Sequence, residues 1–364
     1  MDLQNKSILI VKPSSLGDIV HTLPVVHALK RCSPGCRIGW IVQKAFAQIL
    51  EQDPAVDRVY PIGISSTSEP QAGRLAYVRA FRETIVTLRD LRRLLRLAPY
   101  DLVLDLQASF RSGLLGLSNP GGVRMGFVDA RELNPLFQHQ RIAVPPACSH
   151  AQDKNLLFSS CLGCPAGKED FYLCTGEQAD RRAEEFLAQH NVADGDMVIY
   201  LHAAARWQTK FWRQERWAAL ADRLLREGLR VVFGGSGKER EYLAQIVNQM
   251  AQVPMMAAGE LDLAASAALL KKASLYIGLD SGPMHMAALA GVPVVALFGP
   301  THPERVGPYR VEHRIVRDTR LDCLGCRKRS CPHLSCMENI SVDMVHAAAR
   351  ALLYRDGSRE CRCS

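Results

Sequence analysis

Four clusters in this 364-residue chain combine residue types that can do chemistry, and each follows a short apolar run. The first is Lys12-Pro13-Ser14-Ser15-Leu16-Gly17-Asp18, directly after Ser7–Val11. Gly17 suits a tight strand-to-helix turn, and the two serines bring hydroxyls and backbone donors to the start of a helix. Asp18 reads either as a helix N-cap or as a carboxylate held at the carboxyl edge of a sheet. Capping alone does not explain why Lys12 and two serines share the turn. A dinucleotide fingerprint is excluded, because G-x-G-x-x-G is absent.

The other three clusters lie in the second half. In His202–Trp212, Lys210 sits in a strand-following loop, where its ammonium could pair with a diphosphate as a compact point charge. Trp212 and Trp217 read as packing. In Phe233-Gly234-Gly235-Ser236-Gly237-Lys238-Glu239 the glycines allow the backbone to approach a phosphate or ribose closely. Glu239 opens the next helix, where an acid is favoured by the dipole. In Asp280-Ser281-Gly282-Pro283-Met284-His285 a strand runs into a helix whose free N–H groups can bind a pyrophosphate. Pro283 is tolerated in a first turn. Continuation through Gly291-Val292-Pro293 into Val294–Phe298 completes a β-loop-α-loop-β unit, which makes this the most specific of the four.

These clusters need a scaffold that presents strand ends. Short, nearly continuous apolar runs occur at Ser7–Val11, Ile38–Val42, Leu102–Leu106, Met197–Leu201, Arg230–Phe233, Leu275–Leu279 and Val294–Phe298. Such runs are expected of central parallel strands covered on both faces. Amphipathic stretches at Leu23–Arg31, Arg216–Arg226, Glu239–Met250 and Leu263–Lys272 alternate with them, which predicts a doubly wound α/β architecture. The length allows two domains, and the Gly/Pro/Cys-containing stretch Gly163–Gly176 is the expected linker. The division is placed at residues 1–170 and 171–364, the second part carrying a Cys-rich segment and a C-terminal helix. Ligands bind beyond the carboxyl ends of the strands in open α/β sheets.

Hydrophobic residues make up 48% and charged residues 23%, the balance of a soluble globular protein. No run approaches the roughly 18 apolar residues of a membrane span, and no signal-peptide pattern is evident, so a cytoplasmic location is expected. The net charge of +8 favours anionic partners. Twelve cysteines spread over so long a chain fit reduced thiols or a metal cluster better than a disulfide framework.

Together the clusters resemble the ADP-heptose:lipopolysaccharide heptosyltransferases, a GT-B family in which two Rossmann-like doubly wound domains face a central cleft. The resemblance covers nearly the whole chain. It rests on K-x-S-S-x-G-D at Lys12–Asp18, K-x-W at Lys210–Trp212, D-S-G-x-x-H at Asp280–His285 and the run Leu297–Thr301. In the first half, Asp105-Leu106-Gln107, Arg111-Ser112, Gly126-Phe127, Arg131-Glu132, His150-Ala151 and Asp153-Lys154-Asn155 look most like the members that act on the Kdo sugars of lipid A. The resemblance implies that Asp18 is the general base of a single inverting displacement. It implies that Lys210 holds the leaving diphosphate, and that Asp280, Ser281, Gly282 and His285 form the donor-phosphate loop. Glu239 would hold the ribose hydroxyls, and Leu261 would lie where adenine meets backbone. Lys12, Ser15, Gln107, Arg111, Arg131 and Lys154 would face the acceptor.

The implied donor is ADP-heptose, with no cofactor and no metal required for chemistry. The implied acceptor is the inner core of a lipopolysaccharide precursor, Kdo-lipid A or its first heptose, reached by transient contact with the cytoplasmic face of the inner membrane; nucleic acid is not an implied partner. Three departures from the family pattern bear on the donor. Ala204 and Ala205 replace hydroxyl-bearing residues, the Lys210 loop is one residue longer, and Arg213 replaces a common proline. Competing readings are a glycosyltransferase using another sugar nucleotide, a GT-B sugar-nucleotide epimerase, a nicotinamide-dependent oxidoreductase and a non-catalytic nucleotide-binding protein. The oxidoreductase would want the missing glycine fingerprint.

Two further features stand apart. Arg82, Arg89, Arg93 and Arg96 recur at helical spacing beside Val78, Phe81, Ile85, Leu88 and Leu95. Such a helix could meet lipid A phosphates or anionic headgroups, or simply pack by its apolar side. Cys323, Cys326, Cys331 and Cys336 are close enough in sequence to suit a structural tetrahedral zinc, although their spacing is not that of a common finger.

Overall fold

The computed structural model describes residues 3–64 and 74–354. The chain divides into two units, Met1–Cys174 and Thr175–Ser364, so the division falls inside the Gly163–Gly176 stretch. In the first unit β1 (Ser7–Val11), α1 (Leu16–Val20), α2 (Leu23–Cys32), β2 (Arg37–Gln43), α3 (Gln48–Glu51) and β3 (Arg58–Ile62) precede the long α4 (Arg74–Leu97). Then come β4 (Leu102–Asp105), α5 (Phe110–Gly116), β5 (Val123–Phe127), β6 (Gln140–Ile142) and α6 (Ala151–Cys161).

The second unit begins with α7 (Glu177–Gln189), β7 (Val198–His202), α8 (Gln214–Arg226), β8 (Arg230–Phe233), α9 (Arg240–Val247) and β9 (Met255–Met256). It continues through α10 (Leu263–Lys271), β10 (Leu275–Leu279), α11 (Gly282–Leu289), β11 (Val294–Leu297) and α12 (Pro303–Val306). It ends with β12 (His313–Val316), α13 (Ser335–Glu338) and α14 (Val342–Leu353).

Each unit is built on one six-stranded sheet, ordered β3-β2-β1-β4-β5-β6 in the first and β12-β11-β10-β7-β8-β9 in the second. All pairings are parallel. The seven apolar runs are β1, β2, β4, β7, β8, β10 and β11, and every one is interior to its sheet. The strands that the pattern did not reveal are the four edges, β3, β6, β9 and β12, together with β5 beside an edge. Exposed Arg58, Gln140, Arg141, His313 and Arg314 interrupt their apolar character, because an edge strand has a solvated side.

Chain direction across each sheet reverses between β1 and β4, and between β7 and β10. These are the switch points where doubly wound sheets open a crevice for ligands. The Lys12–Asp18 and Asp105–Arg111 turns flank the first, and the Lys210 and Asp280 turns flank the second.

The cores bear out the packing role of the tryptophans. Trp212 and Trp217 are fully buried and meet edge to face, with ring centroids 5.0 Å apart. Trp212 Nε1 donates to the Ile340 carbonyl at 2.9 Å, so the loop bearing Lys210 ends on a fixed anchor. The first part of the linker is equally tied to its unit. The His27 imidazole bonds Asp53 at 2.9 Å and the Asp170 carbonyl at 2.8 Å, and stacks on Tyr172 at 3.8 Å.

Two glycines at the second sheet's carboxyl edge make room for tyrosines. A Cβ built on Gly278 would lie 2.3 Å from the Tyr276 hydroxyl oxygen, and one on Gly234 would lie 1.9 Å from that of Tyr200. Both rings are completely buried and cannot swing aside. The Gly278→Ala substitution should therefore cost about 1–3 kcal/mol by overpacking, read as a lower thermal midpoint by circular dichroism.

Candidate active site

In the first unit the turn after β1 is organised around a carboxylate. Ser15 caps α1, and Asp18 stands three residues on as its reciprocal partner: one carboxylate oxygen accepts from the Ser15 N–H at 3.0 Å and from the Ser15 hydroxyl at 2.6 Å. Asp18 is thus not itself the N-cap. Its other oxygen lies 3.6 Å from Lys12 Nζ, and the side chain remains 44% exposed, open to a substrate. Lys12 is buried, and its ammonium donates to the Leu106 carbonyl at 2.7 Å, joining the turn after β1 to the turn after β4. The Trp40 indole donates to the Lys12 carbonyl, which brings in β2.

The turn after β4 is held by Asp105, to which the sequence reading gave no role. Its buried carboxylate accepts from the backbone of Gln107 and Ala108, the Ser112 hydroxyl at 2.9 Å, Asn134 at 2.6 Å and Gln138 at 3.2 Å. Burial pushes its carboxyl up, against the opposing pull of the bonds from Asn134, Ser112 and the two amides. Gln107 has a buried side-chain oxygen with no hydrogen-bond partner, a vacant acceptor within the turn.

Arg111 is half-buried and Arg131 exposed, and neither guanidinium bonds to another described residue. Lys154 differs: Asp129 holds its ammonium at 2.9 Å to both oxygens, and the Phe127 ring lies 4.4 Å away. Of the six expected acceptor residues, Lys12 and Ser15 are therefore engaged in positioning Asp18, and Lys154 is already neutralised.

In the second unit Lys210 reaches across the switch point. Its ammonium donates to the Asp280 carboxylate at 2.7 Å and to the Asp280 carbonyl at 3.0 Å, with both side chains largely buried. The pair sits where α11 begins. Ser281 is the N-cap of α11 and Pro283 lies in its first turn. The Ser281 hydroxyl is buried, as is that of Thr301 after β11. The Ser281 hydroxyl lies near that of Tyr276 at the start of α11, where the Lys210 ammonium and free helix N–H groups suit an acceptor-rich ligand. Thr301 was absent from the sequence-derived site; its signal was the strand-ending Leu297–Thr301 run. His285 is buried one turn into α11.

Next to this cradle the turns after β8 and β9 lie against each other. Glu239 accepts from the Ser236 backbone at 2.7 Å and its hydroxyl at 2.8 Å, which shapes the glycine-rich turn. A Cβ on Gly259 would approach the Gly237 Cα to 3.1 Å, and Arg240 donates to the Ala258 carbonyl at 2.7 Å. Leu261, half-buried, follows in the same turn and bridges to Ala258. His202 Nδ1 donates to the Gly234 carbonyl at 3.0 Å, and burial pushes its pKa down, so the ring is a neutral link between β7 and the glycine turn. Lys210, Asp280, Ser281, Gly282 and His285 are thereby brought to one end of the sheet, with Glu239 and Leu261 on the turns after β8 and β9.

No group of three or more His, Cys, Asp or Glu side chains among the described residues is arranged to hold a metal ion. Cys336 is buried beneath Gly299, whereas Cys323 and Cys326 are exposed. On α4 the expected apolar stripe is only partly buried. Ala80, Thr84, Leu91 and Leu95 face the core, while Val78 and Phe81 are exposed.

Two parallel six-stranded α/β units, each with polar machinery at its switch point, define the GT-B class of glycosyltransferases. The chain belongs to glycosyltransferase family 9, the heptosyltransferases, whose sequence profile matches residues 88–336. It is 30% identical over 344 residues to lipopolysaccharide heptosyltransferase 1 of Pseudomonas aeruginosa, covering 90% of this chain and 87% of that protein. Identity to lipopolysaccharide heptosyltransferase 1 of Escherichia coli K12 is 29%, over 89% and 97% of the two chains. A glycosyltransferase family 9 structure from Veillonella parvula superposes with a TM-score of 0.80 at 26% identity, over 97% and 98% of the chains. The E. coli heptosyltransferase WaaC with ADP-2-deoxy-2-fluoro heptose does so with a TM-score of 0.68 at 26% identity, over 94% and 98%.

Removing the Asp105 carboxylate takes one buried acceptor from Ser112, Asn134 and Gln138, which keep their bonds to the Ser109 carbonyl and to Asn134. Asp105→Ala should destabilise the first unit by about 2–4 kcal/mol, measured as a shift in its urea transition, with Asp105→Asn losing less.

Proposed function

We propose that this glycosyltransferase moves heptose from ADP-heptose to the Kdo region of a lipopolysaccharide precursor, with inversion at the anomeric carbon. The observation that carries this reading is the Lys210 ammonium held by Asp280 at the start of α11, the helix capped by Ser281. A nucleoside diphosphate offers the oxygens that such a cradle lacks. Relatives at similar coverage named lipopolysaccharide heptosyltransferase 1 support the choice of sugar and acceptor.

In the proposed step an acceptor hydroxyl oxygen attacks C1 of the heptose while Asp18 takes its proton. The bond from C1 to the β-phosphate oxygen breaks and ADP leaves with that electron pair. Ser15 fixes one oxygen of Asp18 and the Lys12 ammonium lies 3.6 Å from the other, so the carboxylate is held in place to receive the proton. Lys210 and the α11 N–H groups stabilise the charge that grows on ADP, the task a metal ion performs in other transferases. Glu239 and the turn at Leu261 would hold ribose and adenine. Arg111 and Arg131, whose guanidiniums have no described partner, would meet the acid groups of the acceptor.

Contact with an anionic membrane surface follows from α4. No helix among the described residues is long and apolar enough to cross a membrane. The outer face of α4 instead carries Arg82, Arg89, Arg93 and Arg96, none bonded to a described residue, with exposed Val86 between them. An unpaired basic stripe with apolar residues suits a headgroup layer.

Two measurements test these assignments. Asp18→Asn should lower the turnover of ADP-heptose with Kdo-lipid A by about 10²–10⁴-fold while ADP binding is kept; retained transfer would remove Asp18 from the base role. The triple change Arg82→Gln, Arg89→Gln, Arg93→Gln should weaken binding to phosphatidylglycerol-containing vesicles about fivefold per arginine. Unchanged sedimentation with those vesicles would reject the surface.

A further inference from the structure

The Cys-rich segment, which the reaction does not use, is bonded to both loops of the donor cradle. The Thr209 hydroxyl, buried beside Lys210, donates to the Lys328 carbonyl at 2.9 Å. The Trp207 ring carries two cations, Lys210 Nζ at 4.9 Å and the Arg329 guanidinium at 5.0 Å from its centroid. On the other side Arg327 N–H donates to the Pro300 carbonyl at 2.7 Å and Gly325 N–H to Gly299 at 3.3 Å. Gly299 in turn has no room for a side chain over Cys336 and Met337. One segment thus braces the residue before Lys210, the ring over which the ammonium lies, and the loop that ends in Thr301.

We propose that Thr209, Trp207 and Arg329 are positioning residues for Lys210, through which the segment Cys323–Cys336 sets the affinity for the donor diphosphate. The proposal rests on the reading of Lys210 as the diphosphate ligand. A lysine side chain has four rotatable bonds and loses much freedom when fixed. The Asp280 carboxylate fixes only its end. The Trp207 ring holds the ammonium from one side, and the Thr209 tether fixes the backbone from which the stem departs. Arg329 restricts the indole by occupying the ring that Lys210 also uses.

The test is a double-mutant cycle on the full chain, read as ADP affinity by calorimetry. Lys210→Ala should weaken ADP binding about tenfold or more. Thr209→Val should weaken it about three- to tenfold, and Thr209→Ser should restore it. In the Lys210→Ala background Thr209→Val should change ADP affinity by less than about twofold, because a residue acting through another has nothing left to position. Arg329→Gln, an exposed change that spares the core, should weaken binding about two- to fivefold and be silent in the same background.

If Thr209→Val and Arg329→Gln weaken ADP binding equally with and without Lys210, or leave it unchanged with Lys210 present, the positioning proposal is overturned while the donor site stands. If Lys210→Ala itself leaves ADP affinity intact, the diphosphate reading falls and the proposal falls with it.

Discussion

The ion pair between Lys210 and Asp280 is the constraint on which the second unit's site depends. With side chains 16% and 8% exposed, both groups are mostly removed from water. Either one alone would be a poorly solvated charge, so each demands the other. The partners sit on turns after β7 and β10, strands that neighbour each other across the switch point. Their attraction therefore closes the crevice base and places a cation at a helix start, where a field for anions already exists. The pairing supplies position more than stability, since a desolvated pair gains little net energy.

The first unit repeats the device with different chemistry. Lys12 follows the first strand of its sheet as Lys210 follows β7, and it too crosses the switch point to a carbonyl, that of Leu106. There the lysine is buried and its neighbour Asp18 is the exposed group, so the open charge is negative. In the second unit the lysine end faces the helix start and the carboxylate is covered. Two equivalent frames thus present opposite functional groups, a carboxylate suited to accept a proton and a cation suited to an anionic leaving group.

The legible part of this architecture was what repeated locally. Interior strands announced themselves by unbroken apolar runs, and the turns that follow them by glycines and small polar residues. Edge strands such as β6 and β12 were invisible because Gln140, Arg141, His313 and Arg314 face solvent, and their strand character comes from pairing rather than composition. The same limit applied to Asp105. It stood in a quoted motif, yet its hold on the turn after β4 depends on Asn134 and Gln138, about thirty residues further on. Spacing likewise brings Cys323, Cys326 and Cys331 near Cys336, but it does not reveal the burial under Gly299 that, more than those neighbours, pushes the Cys336 thiol up.

The loop that carries Lys210 starts without side-chain donors. It begins with Ala204, buried, and Ala205, half-buried, whose side chains offer a phosphate nothing. The nearby hydroxyl that remains, that of Thr209, is turned away to the Lys328 carbonyl. Donors for the ligand must then come from elsewhere on the same edge. The buried hydroxyls of Ser281 and Thr301 lie on the turns after β10 and β11, the strands next in order beyond β7. Thr209 aside, side-chain hydroxyls at this end of the sheet thus stand on the turns after β10 and β11 rather than on the turn after β7. What the loop does carry is Trp207, whose ring joins the lysine to Arg329 of the Cys-rich segment.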